Sequence, residues 1–165
     1  MLENVRKKLD KAVTVVAGSF FALAVLATLL GMVDRTFGLG WKIVWAEEVT
    51  GFSMTWSMFT IMGLCLRTGY HSAFTLILDV ISEKKKIVLN MIILLLVSLL
   101  FAIFLIYGLT MAISNAHQLS AVLQMSMFFP YFAIPVGALL TLFETFTAMY
   151  ENIKDWKTLK IEGVR

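Results

Sequence analysis

Residues 87–113 read IVLNMIILLLVSLLFAIFLIYGLTMAI, 27 residues without a charge. A helix needs about 20 mostly apolar residues to cross a hydrocarbon layer about 30 Å thick, because each residue rises about 1.5 Å. Lipid offers backbone groups no hydrogen-bond partner, so a spanning stretch of this kind must be helical. Working outward, three more stretches meet the same test: residues 12–33, 49–66 and 122–143. The first is too long for a signal-peptide core and lacks a small-residue cleavage pattern after it, which predicts an uncleaved signal anchor. Composition agrees with this reading. The 165 residues are 59% hydrophobic and only 15% charged, whereas a soluble domain carries roughly a quarter charged residues. Two prolines and ten glycines exclude a collagen-like or disordered chain, and the single Cys65 excludes a disulfide framework and a cysteine zinc site. The expectation is an all-α integral membrane protein, one membrane domain over 1–165 with four transmembrane helices.

Orientation follows from the cations. Arg6, Lys7, Lys8 and Lys11 precede the first span, and Arg67, Lys84, Lys85 and Lys86 separate the second from the third. Lys154, Lys157, Lys160 and Arg165 follow the fourth, which leaves only Arg35 and Lys42 on the other side. The positive-inside rule then predicts cytoplasmic N- and C-termini and a cytoplasmic middle loop, with residues 34–48 and 114–121 outside. The net charge of +3 is therefore a membrane-surface signature rather than a nucleic-acid one. Between the second and third spans, Tyr70, Ala73, Phe74, Ile77, Leu78 and Ile81 fall on one helical face, with His71, Thr75, Asp79 and Ser82 opposite. That pattern predicts a short amphipathic helix on the cytoplasmic leaflet, and Leu2, Val5, Leu9 and Val13 suggest another before the first span.

Inside the spans, Thr50, Ser53, Ser57, Thr60 and Gly63 recur at three- and four-residue spacing along one side of the second helix. Small and hydroxyl residues let helices approach and bond across the contact, so this stripe predicts a packing seam, within the chain or against a partner, rather than a substrate path. The pairs Gly18/Ala22 and Ala27/Gly31 offer close approach on the first span. At the opening of the second, Trp45, Glu47 and Glu48 combine an interfacial aromatic with acids at the positive end of a helix dipole. Either acid is a candidate partner for Arg35 or for another subunit. Pro130 and Pro135, with Gly137 after them, predict a bend in the fourth helix. No nucleophile with its base and no metal-ligand cluster appears in the spans, and His71 and His117 lie on opposite sides, so neither enzyme activity nor a bound cofactor is expected. Nor does any span carry a deeply placed Asp, Glu, Lys or Arg; Arg67 and Glu144 sit at ends, where side chains can reach the headgroups.

The order of these features resembles the small membrane subunit, of DctQ type, of tripartite ATP-independent periplasmic (TRAP) transporters. The residues that carry the likeness are Arg35 after the first span, Trp45-Ala46-Glu47-Glu48 opening the second, and Gly63, Arg67 and His71 toward its close. In the fourth span they are Tyr131-Phe132-Ala133-Ile134-Pro135-Val136-Gly137. The likeness runs from the first span to the end of the fourth. It implies a non-catalytic subunit in a bacterial inner membrane, partnered with a large membrane subunit that moves a carboxylate such as sialic acid or a C4-dicarboxylate on a sodium gradient. A periplasmic binding protein would deliver that substrate. It also implies that Trp45, Glu47, Glu48, Arg67, His71, Pro135 and Gly137 serve assembly and anchoring. Two departures stand out: Ser72-Ala73-Phe74-Thr75 follows the histidine where the family often has an acid, and Ser126 lies where a proline is common. The residues alone also admit an assembly subunit of an unrelated complex, or a stand-alone four-span transporter that would need another coupling group.

Overall fold

The computed structural model describes the backbone of residues 2–73 and 83–162, and the side chains of residues 6–66, 85–154 and 156. Four long helices make up the described fold: α1 (Leu2–Phe37), α2 (Trp45–Ala73), α3 (Glu83–Ser114) and α4 (Phe128–Glu162). Each contains a stretch long and apolar enough to cross a membrane, namely Arg6–Phe37, Trp45–Leu66, Lys85–Ser114 and Phe128–Lys154. Large apolar side chains such as Leu26, Leu96, Ile106 and Phe146 face outward. In water they would be a liability; in lipid they need no cover.

The helices form a row in the order α1, α2, α4, α3, since α2 packs on both α1 and α4, and α4 packs on α3. Helices α1 and α2 are antiparallel, with Phe20 stacked on Trp56 at 5.6 Å. By contrast α2 and α4 run in the same direction, because Phe59 meets Gly137 and, one turn on, Gly63 meets Thr141. The α3/α4 pair is antiparallel, with Gly108 against Pro135 at one end and an amide bond from Asn90 Nδ2 to Asn152 Oδ1, 2.8 Å, at the other. Between these points Phe101, Ala138 and Leu142 form the buried apolar core.

Three details differ from the hydropathy reading. The fourth helix begins at Phe128, later than Val122, because residues 115–127 form a turn region closed by a bridge between Leu119 and Ser126. Gln124 in that turn takes a positive φ of 54°, a left-handed conformation that a helix cannot contain. Pro130 consequently falls in the first turn of α4, where its missing N–H has no intrahelical partner to lose; only Pro135 interrupts the helix interior. Finally, α1 is unbroken from Leu2, so the N-terminal segment extends the first spanning helix without turning. Residues 74–82, which hold most of the amphipathic segment read from Tyr70 to Ser82, lie outside the described residues, and 70–73 continue α2.

Candidate functional site

Spacings of three and four keep residues on one face of a helix, and the second-helix stripe is turned into the protein. Ser53, Ser57 and Thr60 are buried. The Ser57 hydroxyl donates to the Ala17 carbonyl at 2.9 Å, and Thr50 donates to the Ala24 carbonyl at 3.4 Å while its oxygen lies 3.1 Å from the Thr28 hydroxyl. Facing them on α1 are the buried Ala17, Ala24 and Ala27. Their methyl groups let the backbone come close enough for a serine to reach across. Gly31 continues this face, since a Cβ placed there would stand 3.2 Å from the Ala46 Cβ. The other small pair is not used this way: Gly18 and Ala22 are exposed, and a Cβ on Gly18 would meet nothing within 4 Å.

Gly63, at the end of the stripe, belongs to the α2/α4 contact. A Cβ there would lie 3.1 Å from Thr141 Cα and 3.2 Å from the Leu140 oxygen. Gly137 is tighter still, with Phe59 Cβ 2.7 Å and Phe59 carbonyl carbon 2.8 Å from where its Cβ would be. Two buried hydroxyls on α4 satisfy themselves one turn back, Thr141 on the Gly137 carbonyl and Thr145 on the Thr141 carbonyl, each at 2.8 Å. The seam is thus internal: α2 is one of the two inner helices of the row, packing Thr50 and Ser57 on α1 and Gly63 on α4.

At the Trp45 end of α2, carboxylates hold the connecting loops. Asp34 accepts the backbone N–H groups of Trp41 at 3.0 Å and Ile43 at 3.2 Å, which folds the α1–α2 loop over the helix end. Positive φ angles at Gly38, Gly40 and Lys42 make that tight path possible. Glu48 accepts from the N–H of Val122 at 2.8 Å with one oxygen and from that of Leu123 at 2.9 Å with the other. It therefore holds the 115–127 turn against the start of α2. Glu47 pairs instead with Arg35 at 2.6 Å, with both side chains about three-quarters exposed. A pair so open to solvent contributes little to stability, about 0–1 kcal/mol. Trp45 opens α2 with its side chain exposed beside these groups.

The opposite end carries an arrangement the sequence did not disclose. Arg6 of α1 reaches α4, pairing with Glu144 at 3.1 Å and with Glu151 at 2.6 Å. Glu144 is only 5% exposed, so its carboxylate turns inward to Arg6 rather than outward to headgroups. In sequence Arg6 is indistinguishable from Lys7, Lys8 and Lys11, and no periodicity marks which cation crosses to α4. Asn90 did leave a signal, as the lone amide in residues 87–113, which Asn152 answers. Arg67 and His71 fall in the last turns of α2, and their side chains lie outside the described set. The structure brings Arg35, Trp45, Glu47 and Glu48 together at one rim, and Ser53, Ser57, Thr60, Gly63 and Gly137 together in the seam. Pro135 sits apart, against α3 at Gly108, where its Cδ is 3.1 Å from the Gly108 Cβ position. Among the described residues, no three His, Cys, Asp or Glu side chains are gathered to hold a metal ion.

A family model described as tripartite ATP-independent periplasmic transporters, DctQ component, matches residues 24–155. No curated protein and no solved structure matches the chain.

Proposed function

The chain belongs to the DctQ family, the small membrane component of tripartite ATP-independent periplasmic transporters, and on that premise we propose that it braces and anchors a large transport subunit without moving substrate itself. The family match, which runs from within the first apolar helix to the end of the fourth apolar stretch, carries this reading. In support, the Thr50 and Ser57 hydroxyls of the second span are bonded to carbonyls of α1 and Gly63 is packed on α4, an arrangement that serves the rigidity of a scaffold. The substrate would be a small carboxylate, taken from a periplasmic binding protein and moved by the large subunit on a sodium gradient. Both termini would face the cytoplasm of a bacterium, with the protein in its inner membrane.

Reconstitution tests the proposal. Purified protein in vesicles under a sodium gradient should take up no sialic acid or C4-dicarboxylate. Uptake of at least one such acid should appear when a large subunit and binding protein from the same source are added, and uptake by the small chain alone would overturn the bracing role. Reporter fusions after Arg165 and within residues 115–121 check orientation separately.

A further inference from the structure

Between the end of α1 and the start of α2 lies an open groove of about 470 Å³, with Arg35, Thr36 and Glu47 at its mouth and Ala27, Gly31 and Gly51 further along. A narrower hollow of about 160 Å³ shares its Thr28 and Thr50 walls and continues inward to Ala24 and Met54. We propose that this groove binds one molecule of phosphatidylethanolamine, with the phosphate on Arg35, the ammonium on Glu47 and one acyl chain lying along the small residues.

Charge selects the headgroup. Arg35 and Glu47 both line the groove, and they meet through one contact, Nη2 to Oε1 at 2.6 Å. Arg35 Nη1 and Nε and Glu47 Oε2 have no other partner among the described residues, and neither has the Thr36 hydroxyl beside them. The mouth therefore presents a cation and an anion side by side, each with hydrogen-bonding capacity to spare. Neighbouring carboxylates are occupied, Asp34 by the N–H groups of Trp41 and Ile43 and Glu48 by those of Val122 and Leu123. The two charges lining the mouth cancel, which suits a headgroup with one negative and one positive pole better than a net anion. A guanidinium takes phosphate oxygens in its planar fork, and a carboxylate makes charge-assisted bonds to the N–H groups of a primary ammonium. Choline carries the same charge but has no N–H to donate, which separates the ethanolamine headgroup from it.

The body of the groove suits the chain. From Arg35 to Ala24 it follows α1 for about 16 Å at the helical rise, close to half of the roughly 30 Å hydrocarbon layer, the depth of one leaflet. Its hydroxyls ask nothing of an occupant, since Thr28 donates to the Ala24 carbonyl at 2.8 Å and Thr50 lies against both. A Cβ on Gly51 would meet nothing within 4 Å, which leaves space for methylene groups. Trp45 stands exposed at the opening of α2, as a tryptophan does at the level of the headgroups.

Native mass spectrometry of the delipidated full chain in mild detergent tests the site by titration with phosphatidylethanolamine, phosphatidylcholine and phosphatidylglycerol of identical chains. Phosphatidylethanolamine should form one saturable adduct at a several-fold lower concentration than either of the others. Glu47→Gln should weaken that adduct roughly fivefold and erase its advantage over phosphatidylcholine. Arg35→Gln should weaken both, because both lipids carry the phosphate. Gly51→Leu fills the groove and should weaken all three with both charges in place. An exposed pair contributes little to the fold, so these variants should keep it, as helical circular dichroism and a single elution peak check. Equal binding of phosphatidylethanolamine and phosphatidylcholine, or an ethanolamine preference unchanged in Glu47→Gln, would overturn the site. The complex with the large subunit should retain one phosphatidylethanolamine. Loss of the adduct there, with Gly51→Leu then blocking assembly, would mean that a partner helix fills the groove and would likewise overturn it. None of these readouts uses transport, so the lipid site can fail while the bracing role stands.

Discussion

Gly137→Ala is the sharpest test of the α2/α4 contact. The added Cβ would lie 2.7 Å from Phe59 Cβ and 2.8 Å from the Phe59 carbonyl carbon, against a preferred carbon–carbon separation of about 3.5–4.0 Å. Most of the obstruction is α2 backbone, which cannot rotate away as a side chain can. The helices must part by about 0.7–1 Å, and a gap of that order forfeits a quarter to a half of each dispersion contact along the seam. Overpacking of this kind costs about 1–3 kcal/mol, and fixed backbone on the obstructing side argues for the upper end. Alanine recovers up to about 1 kcal/mol of helix propensity. The net loss should be about 2 kcal/mol, roughly a thirtyfold fall in the folded-to-unfolded ratio.

Three other glycines calibrate the measurement. A Cβ at Gly51 would meet nothing within 4 Å, so Gly51→Ala should be neutral or slightly stabilising. At Gly63 the nearest atoms stand at 3.1–3.2 Å, and a shift of a few tenths of an ångström suffices. Gly108 is blocked at 2.8 Å by Ile134 Cγ2, on a β-branched side chain that is stiff in a helix, and at 3.1 Å by Pro135 Cδ, so Gly108→Ala should also destabilise, though less than Gly137→Ala, where backbone atoms obstruct. Reversible unfolding by sodium dodecyl sulfate in mixed micelles, followed by helical circular dichroism and by the fluorescence of Trp56 between Phe20 and Phe129, reads all four. If Gly137→Ala unfolds at the same detergent fraction as Gly51→Ala, the close approach of α2 and α4 is wrong.

Arg6→Gln removes the cation facing the buried Glu144 and should cost on the order of 3 kcal/mol, the low end for a buried pair because Arg6 keeps some exposure. The double variant Arg6→Gln/Glu144→Gln should recover part of that loss in the same unfolding assay. Glu48→Gln weakens the acceptor for Val122 and Leu123, so amide hydrogen exchange should speed up at those two residues and leave the Trp41 and Ile43 amides held by Asp34 unchanged. Ser57→Ala deletes one bond to the Ala17 carbonyl and should cost only about 0.6 kcal/mol. Ser57→Leu should be far more damaging by the same assay, because the α1/α2 contact has no room for the larger side chain.

Apolar run length determined the membrane-spanning, all-helical character of this chain, because a bilayer leaves the backbone no alternative to internal hydrogen bonding. The three- and four-residue spacing from Thr50 to Gly63 likewise identified a contact face, since volume and period are properties of the residues themselves. Partner choice was different. Whether that face met α1, α4 or another subunit depended on the order of the row, and nothing local to α2 encodes it. The start of α4 at Phe128 was hidden because Val122 and Leu123 look spanning by hydropathy, while their backbone N–H groups are captured by Glu48, 74 residues away for the first of them. Arg6 is the plainest instance. Four cations in one short segment are equivalent to any reading of charge and period, and only the approach of the start of α1 to α4 decided that one of them would face a buried carboxylate. Sequence fixes what each segment must bury, whereas long-range pairing depends on which surfaces arrive at the same place, and that is settled only when all the helices are packed together.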